Sequence, residues 1–484
     1  MASPANPRPS VLTGTIAALL TAACFYFGTG LHPQWWLAWL AAIPALHFAY
    51  RASAKWALLV SFVGFALGGL NLWGYFDILE LPVTIRLEAF LAPALLFACG
   101  VMLSRAFFLR GSRWLAALSL PAFWVSLEYI LSFGPNGTSL NLAYSQMNFL
   151  PALQIASITG IWGISFVVLF FASVIAIAVS VPGNATRFIA ASLAVVVAVL
   201  AFGAARLAMT PDGEHVTIGF AATDRKPLLA KNESDAADIV QAYVEAIDRL
   251  AAQGAQVVVI PEKIGPVLSD TSGPTLDAFS QAAAKNHVTV VVGLDHLDSP
   301  LKHNLSFVFN PEGKLETLYE KHYMVPHWED GYERGAGVAI LPAPHMQWAT
   351  AICKDMDFPT LSRQYAQHGA QLMFVPAWDF TVDDWLHGRM AILRGVESGF
   401  AIARSAKQGF MTLTDNRGRV LAQMHSSPGM ATLLGEITLS KDETLYAQFG
   451  NWFAWLVLAA TALLLLISIV GSIRRSNSTS AGGV

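Results

Sequence analysis

Residues 349–380 read ATAICKDMDFPTLSRQYAQHGAQLMFVPAWDF. A strand-like run ends at Cys353, "TLSRQYAQHG" has helical spacing, and "AQLMFVPAW" is a continuous apolar run of buried-strand length. The same alternation continues on both sides. Upstream, "VTIGFAA" reads as a strand, "DAADIVQAYVEAIDRLAAQG" as an amphipathic helix closed by Gly254, and "AQVVVIPE" as a buried strand ending at Glu262. A helix near 275–287 leads into "HVTVVVGL", and "NLSFVFNPEGKLETLYEKH" reads as a hairpin turning at Glu312 and Gly313 before Lys321. Downstream, "DWLHGRMAILRGVESG" is helical, and "FAIARSA", "GFMTLTD" and "RVLAQM" are strands parted by turn residues. Alternating helices and strands predict a layered α/β domain over residues 210–446. Glu262, Lys321 and Cys353 then fall at strand ends, where the crevices of such sheets form.

Beyond this domain the composition changes. The 484-residue chain is 54% hydrophobic and 13% charged, with a mean hydropathy of +0.49, which excludes a purely soluble protein. A bilayer core is crossed by about 20 apolar residues. Windows of that kind stand near 11–30, 34–50, 56–76, 89–109, 114–131, 157–181, 187–208 and 451–473. We therefore expect a membrane domain over 1–209 with seven helices, the α/β domain over 210–446, and an eighth helix with a short cytoplasmic tail over 447–484. Trp35, Trp36 and Trp39 mark the short second span as one with aromatic residues at the headgroup level. Glu128 in the fifth would cost roughly 2.5–3.5 kcal/mol at the bilayer centre, so it is expected to face protein or water. "MASPANPRPS" carries a single Arg and further spans follow, which favours a retained first helix over a cleaved leader.

Orientation follows from the short loops. With the N-terminus inside, the inner segments hold Arg8, Arg51, Lys55, Arg105, Arg110, Arg113, Arg187, Arg474 and Arg475, and the outer ones mainly Arg86 and Arg206. Seven preceding spans then put the α/β domain on the outer side, which in a bacterium is the periplasm or cell exterior. Of three cysteines, Cys24 and Cys99 lie in apolar spans and read as small buried hydrophobes. Cys353 is alone in a domain facing an oxidising compartment, without a disulfide partner there.

Glu in "VIPEK", Lys in "YEKHYMVP" and Cys in "AICKDMDFP", followed by "GAQLMFVPAW", resemble the nitrilase (carbon-nitrogen hydrolase) superfamily. "PAFWVSLEYILSFG", "LAYSQMNFLPALQIASITGIWGISFVV" and "WLHGRMAILRGVESGFAIARSA" resemble its membrane-embedded branch, the apolipoprotein N-acyltransferase family. The resemblance implies an α-β-β-α sandwich bearing a Glu262, Lys321, Cys353 triad, with the catalytic domain between the last two of eight spans. Glu329 matches a second acidic position of that pattern, and Asp355 stands where the family has a Glu. Lys354 departs from it, since the family places an aromatic residue directly after the nucleophile. Only 32 residues separate Lys321 from Cys353, which leaves little room for the family's long lid loop and implies a more open entrance.

The chemistry these residues offer is acyl transfer through sulfur. A neutral thiol is a poor nucleophile, so Cys353 needs a base, for which Glu262 is the candidate. Attack on an ester or amide carbonyl builds an oxyanion that a fixed cation, Lys321, and a backbone N–H near Lys354 would stabilise. Taken singly, Glu262 also fits a helix cap or a partner for Lys263, and Lys321 an exposed hairpin lysine. Glu329 either orients Lys321, assists proton transfer or is a surface carboxylate, and Asp355 either supports the site or makes a structural salt bridge. Lys354 either depresses the thiol pKa or faces solvent. His322 and His327 lack a third ligand at metal-binding spacing, so neither metal nor cofactor is expected. The expected function is transfer of an acyl chain from a phospholipid, through a Cys353 thioester, to the N-terminal amine of a diacylglyceryl-cysteine lipoprotein. The alternatives are a membrane-anchored amidase or acyltransferase with another lipid or amine, and a non-catalytic lipid-binding or assembly protein. Nucleic acid is not an expected partner. The expected location is a bacterial inner membrane.

Overall fold

The computed structural model describes residues 10–181, 186–225, 232–297, 301–342, 347–440 and 442–481. Arg8 and the side chains of Arg474 and Arg475 lie outside the described residues. The chain forms two compact units. The first comprises Met1–Gly134, Leu140–Ala204 and Asn451–Val484, the second Pro135–Ser139 and Ala205–Gly450.

Among the described residues, seven helices of the chain are long and apolar enough to cross a membrane: Val11–Gly28, Ala54–Ile78, Val83–Phe108, Arg113–Leu131, Ile161–Ser180, Thr186–Ala208 and Trp452–Gly471. This is a membrane protein. The window at 34–50 differs from the other expected spans, since it folds as two short helices, Trp35–Ala38 and Ile43–Ala49, joined by a turn. Pro44 in the first turn of the second piece supplies no backbone N–H to a helix arriving from Trp35, which accounts for the break. The break is covered by protein, since Ala38, Ala41, Ala42, Ala45, Leu46 and Ala49 are all buried. The Trp39 indole donates to Gln146 Oε1 at 2.7 Å, and Gln146 Nε2 donates to the Trp35 carbonyl at 3.0 Å. Glu128 faces protein, its Oε1 accepting from the Trp124 indole at 3.0 Å and from Leu142 N at 2.8 Å. Cys99 corrects the expectation of a buried hydrophobe: it lies on the exposed side of an apolar helix, where lipid rather than protein can cover it.

Among the described residues, the second unit is built on thirteen strands. In chain order they are β1 (His215–Ala222), β2 (Val257–Val259), β3 (Pro266–Val267), β4 (Thr289–His296), β5 (His303–Phe309), β6 (Leu315–Glu320), β7 (Ala339–Pro342), β8 (Gln347–Thr350), β9 (Ala370–Trp378), β10 (Ala401–Lys407), β11 (Phe410–Thr414), β12 (Val420–His425) and β13 (Ala431–Thr438). One sheet runs β13-β1-β2-β4-β5-β6, with β3 also paired to β4; the other runs β12-β11-β10-β9-β8-β7. Strand alternation separates the layers. Val216, Ile218 and Phe220 of β1 meet Phe374 of β9 and Ala401 and Ala403 of β10 in a core between the sheets. On the outer face of the first sheet, Val258, Val290 and Val292 pack with Tyr243 and Ile247 of helix Ala237–Ala252 and Phe279 of helix Pro274–Asn286. On the second, Met373, Val375 and Ile402 pack with Leu361 and Tyr365 of helix Pro359–Gln367 and Ala391 of helix Asp384–Ser398. The result is the expected α-β-β-α sandwich.

Candidate active site

Glu262 and Lys321 come from the first sheet, Cys353 from the second, so the site forms where the two sheets' strand ends meet. Glu262 lies three residues beyond β2, and its N–H donates to the Ala377 carbonyl of β9 at 3.3 Å, which carries it across to the other sheet. That crossing needs Gly293 of β4, because a Cβ there would stand 2.5 Å from Glu262 Cα and 2.8 Å from the Pro261 carbonyl. Lys321 directly follows β6, and its N–H donates to the Asn304 carbonyl at 2.9 Å. Cys353 opens a short 3-10 turn, Cys353–Asp357, with φ +42°. A cysteine held in the left-handed region costs about 1–3 kcal/mol and must be fixed by its surroundings.

Asp355 fixes it. Its Oδ2 accepts from Ile352 N at 3.0 Å and the Tyr319 hydroxyl at 2.8 Å, and its Oδ1 from His322 N at 3.1 Å and Tyr323 N at 2.9 Å. One carboxylate thus ties the Cys353 turn to the segment that carries Lys321, through hydrogen bonds and not the salt bridge weighed from the sequence. Burial pushes its carboxyl up to about 6 against the pull of those donors. Lys354 does not face solvent: it is buried, with Nζ 3.2 Å from Asp357 Oδ2.

Lys321 is 1% exposed, and its ammonium lies 2.8 Å from Glu262 Oε1 and 2.9 Å from Glu329 Oε2. Neither the helix-cap reading of Glu262 nor the surface readings of Lys321 and Glu329 describes these positions. Asn304 Nδ2 bridges the carboxylates, donating to Glu262 Oε1 at 2.6 Å and Glu329 Oε1 at 2.9 Å. Lys263 forms a further ion pair with Glu329. Two ammonium groups therefore face two carboxylates, the pairing that buried charge requires. Burial alone would lower Lys321, but Glu262 and Glu329 outweigh it and hold the ammonium well above its usual range. Burial would likewise raise Glu329, yet Lys321 and Lys263 keep it well below the usual carboxylate range. The Cys353 thiol is pushed up by burial and by the Glu262 charge, while a hydrogen bond to His387 and the Lys321 charge pull it down. The net shift is upward, so the resting thiol is neutral and needs a base.

Two groups beside the sulfur escaped the sequence reading. His387, on helix Asp384–Ser398, and the Asp379 carboxylate lie with the thiol inside a 4.8 Å cluster, while the thiol itself donates to the Trp378 carbonyl at 3.6 Å. The helix had been read, but not the spacing of Asp383 and His387, which at four residues apart share one helix face. Among the described residues, this is where metal-ligand atom types converge, and His322 and His327 take no part. Arg404 forks onto both Asp379 oxygens, with Nη1 2.9 Å from Oδ2, which commits that carboxylate.

A sandwich with Glu262, Lys321 and Cys353 buried at its strand ends fits the carbon-nitrogen hydrolase class, and the sequence comparisons agree. The family described as Carbon-nitrogen hydrolase matches residues 225–444, and that described as Apolipoprotein N-acyltransferase N-terminal domain matches 17–174. The chain belongs to the apolipoprotein N-acyltransferase family of that superfamily. Similar relatives include the apolipoprotein N-acyltransferases of Geobacter metallireducens, 26% identical over 96% of each chain, and Haemophilus ducreyi, 24% identical over 93% of this chain and 95% of that one. Among solved structures, an amidase from Nesterenkonia sp. matches 49% of this chain and 94% of its own at 20% identity, with a TM-score of 0.41.

Proposed function

We propose that the protein moves an acyl chain from a phospholipid to Cys353 as a thioester, and from there to the N-terminal amine of a diacylglyceryl-cysteine lipoprotein. The observation that carries this reading is the buried Lys321 ammonium, held between Glu262 and Glu329 with its charge acting on the Cys353 sulfur. Glu262 takes the thiol proton, sulfur attacks the donor's ester carbonyl, and Lys321 stabilises the oxyanion in a site that excludes water. Collapse expels the lysophospholipid oxygen, which takes the proton back from Glu262. The acceptor amine then attacks the thioester, Glu262 receives its proton, and the thiolate leaves. Glu329 and Asn304 position Lys321, and Asp355 positions the nucleophile turn.

The catalytic unit works on the periplasmic or outer side of a bacterial inner membrane, as the inward bias of short-loop Arg and Lys supports. Apolar helices in the same chain favour a donor drawn from the membrane. The 32-residue spacing between Lys321 and Cys353 favours the second reading, an amidase or lipase-like hydrolase, because a short lid admits water. Intact mass of the enzyme over time after mixing with phospholipid separates the two. Transfer requires an acyl adduct on Cys353 that persists in buffer, is discharged by a diacylated lipopeptide with a free amine, and survives the N-acetylated peptide. Rapid loss in buffer with release of free fatty acid, and no acylated peptide, would establish the hydrolase instead.

A further inference from the structure

Glu262 and Lys321 are not the only groups that act on the sulfur. The thiol donates to the Trp378 carbonyl at 3.6 Å, and a ring nitrogen of His387 lies within 4.8 Å of the sulfur. His387 Nε2 lies 3.2 Å from Asp383 Oδ2. Asp383 is fully buried at the start of helix Asp384–Ser398, and its Oδ1 accepts from Phe380 N at 3.1 Å, which fixes the carboxylate before the helix begins. Asp379 lies in the same cluster, but Arg404 holds both its oxygens.

Glu262, Lys321 and Asp379 act on the sulfur, and Arg404 responds to its charge; Asp383, Asp357 and Asp379 act on the imidazole, with Lys354 on Asp357 and Arg404 on Asp379. Burial would lower His387, but Asp383 outweighs it and holds the ring well above its usual range, as an imidazolium. An imidazolium has no free ring nitrogen lone pair to accept a proton. It can only donate.

We propose that His387, oriented by Asp383, is a second catalytic contact of Cys353, a hydrogen-bond donor that stabilises the thiolate. Glu262 removes the S–H proton, and the electron pair left on sulfur is held by the His387 N–H. As the S–C bond forms, the carbonyl π pair moves onto oxygen; when the ester C–O bond breaks, the departing oxygen takes the proton from Glu262. His387 keeps its proton throughout. In the second half-reaction the S–C bond breaks and the thiolate returns to the same donor, which makes Cys353 a better leaving group toward an amine. This deepens the acyl-transfer reading and rests on it only for that second half.

The test needs no acyl donor, so its failure is distinguishable from failure of that reading. Full-length protein in detergent is alkylated with iodoacetamide from pH 6 to 11, and modification of the peptide holding Cys353 is followed by mass. His387→Gln removes the charge; the titration midpoint should rise by about one pH unit, and the rate below both midpoints should fall about tenfold. Asp383→Asn should move the midpoint the same way by less, and serves if His387→Gln does not fold. In folded His387→Gln, a profile superimposed on the parent's, or displaced to lower pH, would overturn the proposal and leave the His387–Asp383 pair a purely structural clasp at the helix start. An unmoved Asp383→Asn profile, where that variant alone folds, would do the same.

Discussion

Replacing Cys353 by Ser changes one buried atom, so folding should survive while turnover falls below a hundredth of the parent rate, because Glu262 cannot deprotonate a hydroxyl at accessible pH. Acyl transfer and thermal unfolding, measured on the same preparation, check both halves. Lys321→Arg should be nearly as inactive: the cavity around Lys321 is closed, and a planar guanidinium cannot take the place of a compact ammonium lying between Glu262 and Glu329. Glu262→Gln carries a sign that separates base from bystander. The Glu262 charge helps to push the thiol up, and its removal also frees Lys321 to act on the sulfur. The alkylation midpoint of Cys353 should therefore move to lower pH even as turnover is lost, opposite to the shift expected for His387→Gln. A Glu262→Gln profile displaced upward would sink the assignment of Glu262 as the charge facing the thiol. At this scale the sequence marked Glu262, Lys321 and Cys353 because each ends a strand signal. It left His387 and Asp383 unread because their four-residue spacing on one helix is common, and Cys353, which gives the pair its meaning, arrives through the fold and not along the chain.

Elements set how tightly these residues meet, and Gly293 on β4 is the place to test it. An added methyl would press on the backbone of Pro261 and Glu262 with no flexible side chain to yield. Gly293→Ala should therefore destabilise by about 1–3 kcal/mol, as overpacking does, and move Glu262 away from Lys321 and the thiol. Activity should fall further than the unfolded fraction explains. Assay at a temperature where the variant is fully folded measures that difference, and a folded variant with parental activity would mean that Glu262 tolerates displacement. Helix Ala237–Ala252 and strands β4 and β9 were legible because a continuous apolar run or a clear period marks each. β13 was not, since "ATLLGEIT" lies at a sheet edge with most positions half-buried, so the apolar–polar contrast is weak. β3 and β7 are two and four residues long, below the length at which any period can be read.

For the whole molecule, the undecided step is the broken segment Trp35–Ala49, and counting passes isolates it. Working back from an outer catalytic domain through Thr186–Ala208, Ile161–Ser180, Arg113–Leu131, Val83–Phe108 and Ala54–Ile78 places the loop at 51–53 on the inner side, whatever happens before it. The segment then decides only where residues 29–34 and the N-terminus lie. If it crosses, 29–34 is outside and the N-terminus inside; if it does not, both are reversed. At 1.5 Å per residue its 15 residues span about 22 Å, short of a core of about 30 Å. Interrupted backbone at membrane depth is nevertheless tolerated where protein covers it, and here the turn is lined by buried alanines and bonded to Gln146. Arg51 and Lys55 follow directly, cations that hold the segment's end on the inner side. We therefore expect eight passes. Single cysteines at the exposed His32, Ser53 and Gln241, in a chain with Cys24 and Cys99 changed to Ser, test this with a membrane-impermeant maleimide on intact spheroplasts. Labels at positions 32 and 241, and at 53 only after permeabilisation, are the expected pattern. Protection of position 32 alongside 53 would make Trp35–Ala49 a segment that enters without crossing, and would put the N-terminus on the same side as the catalytic domain.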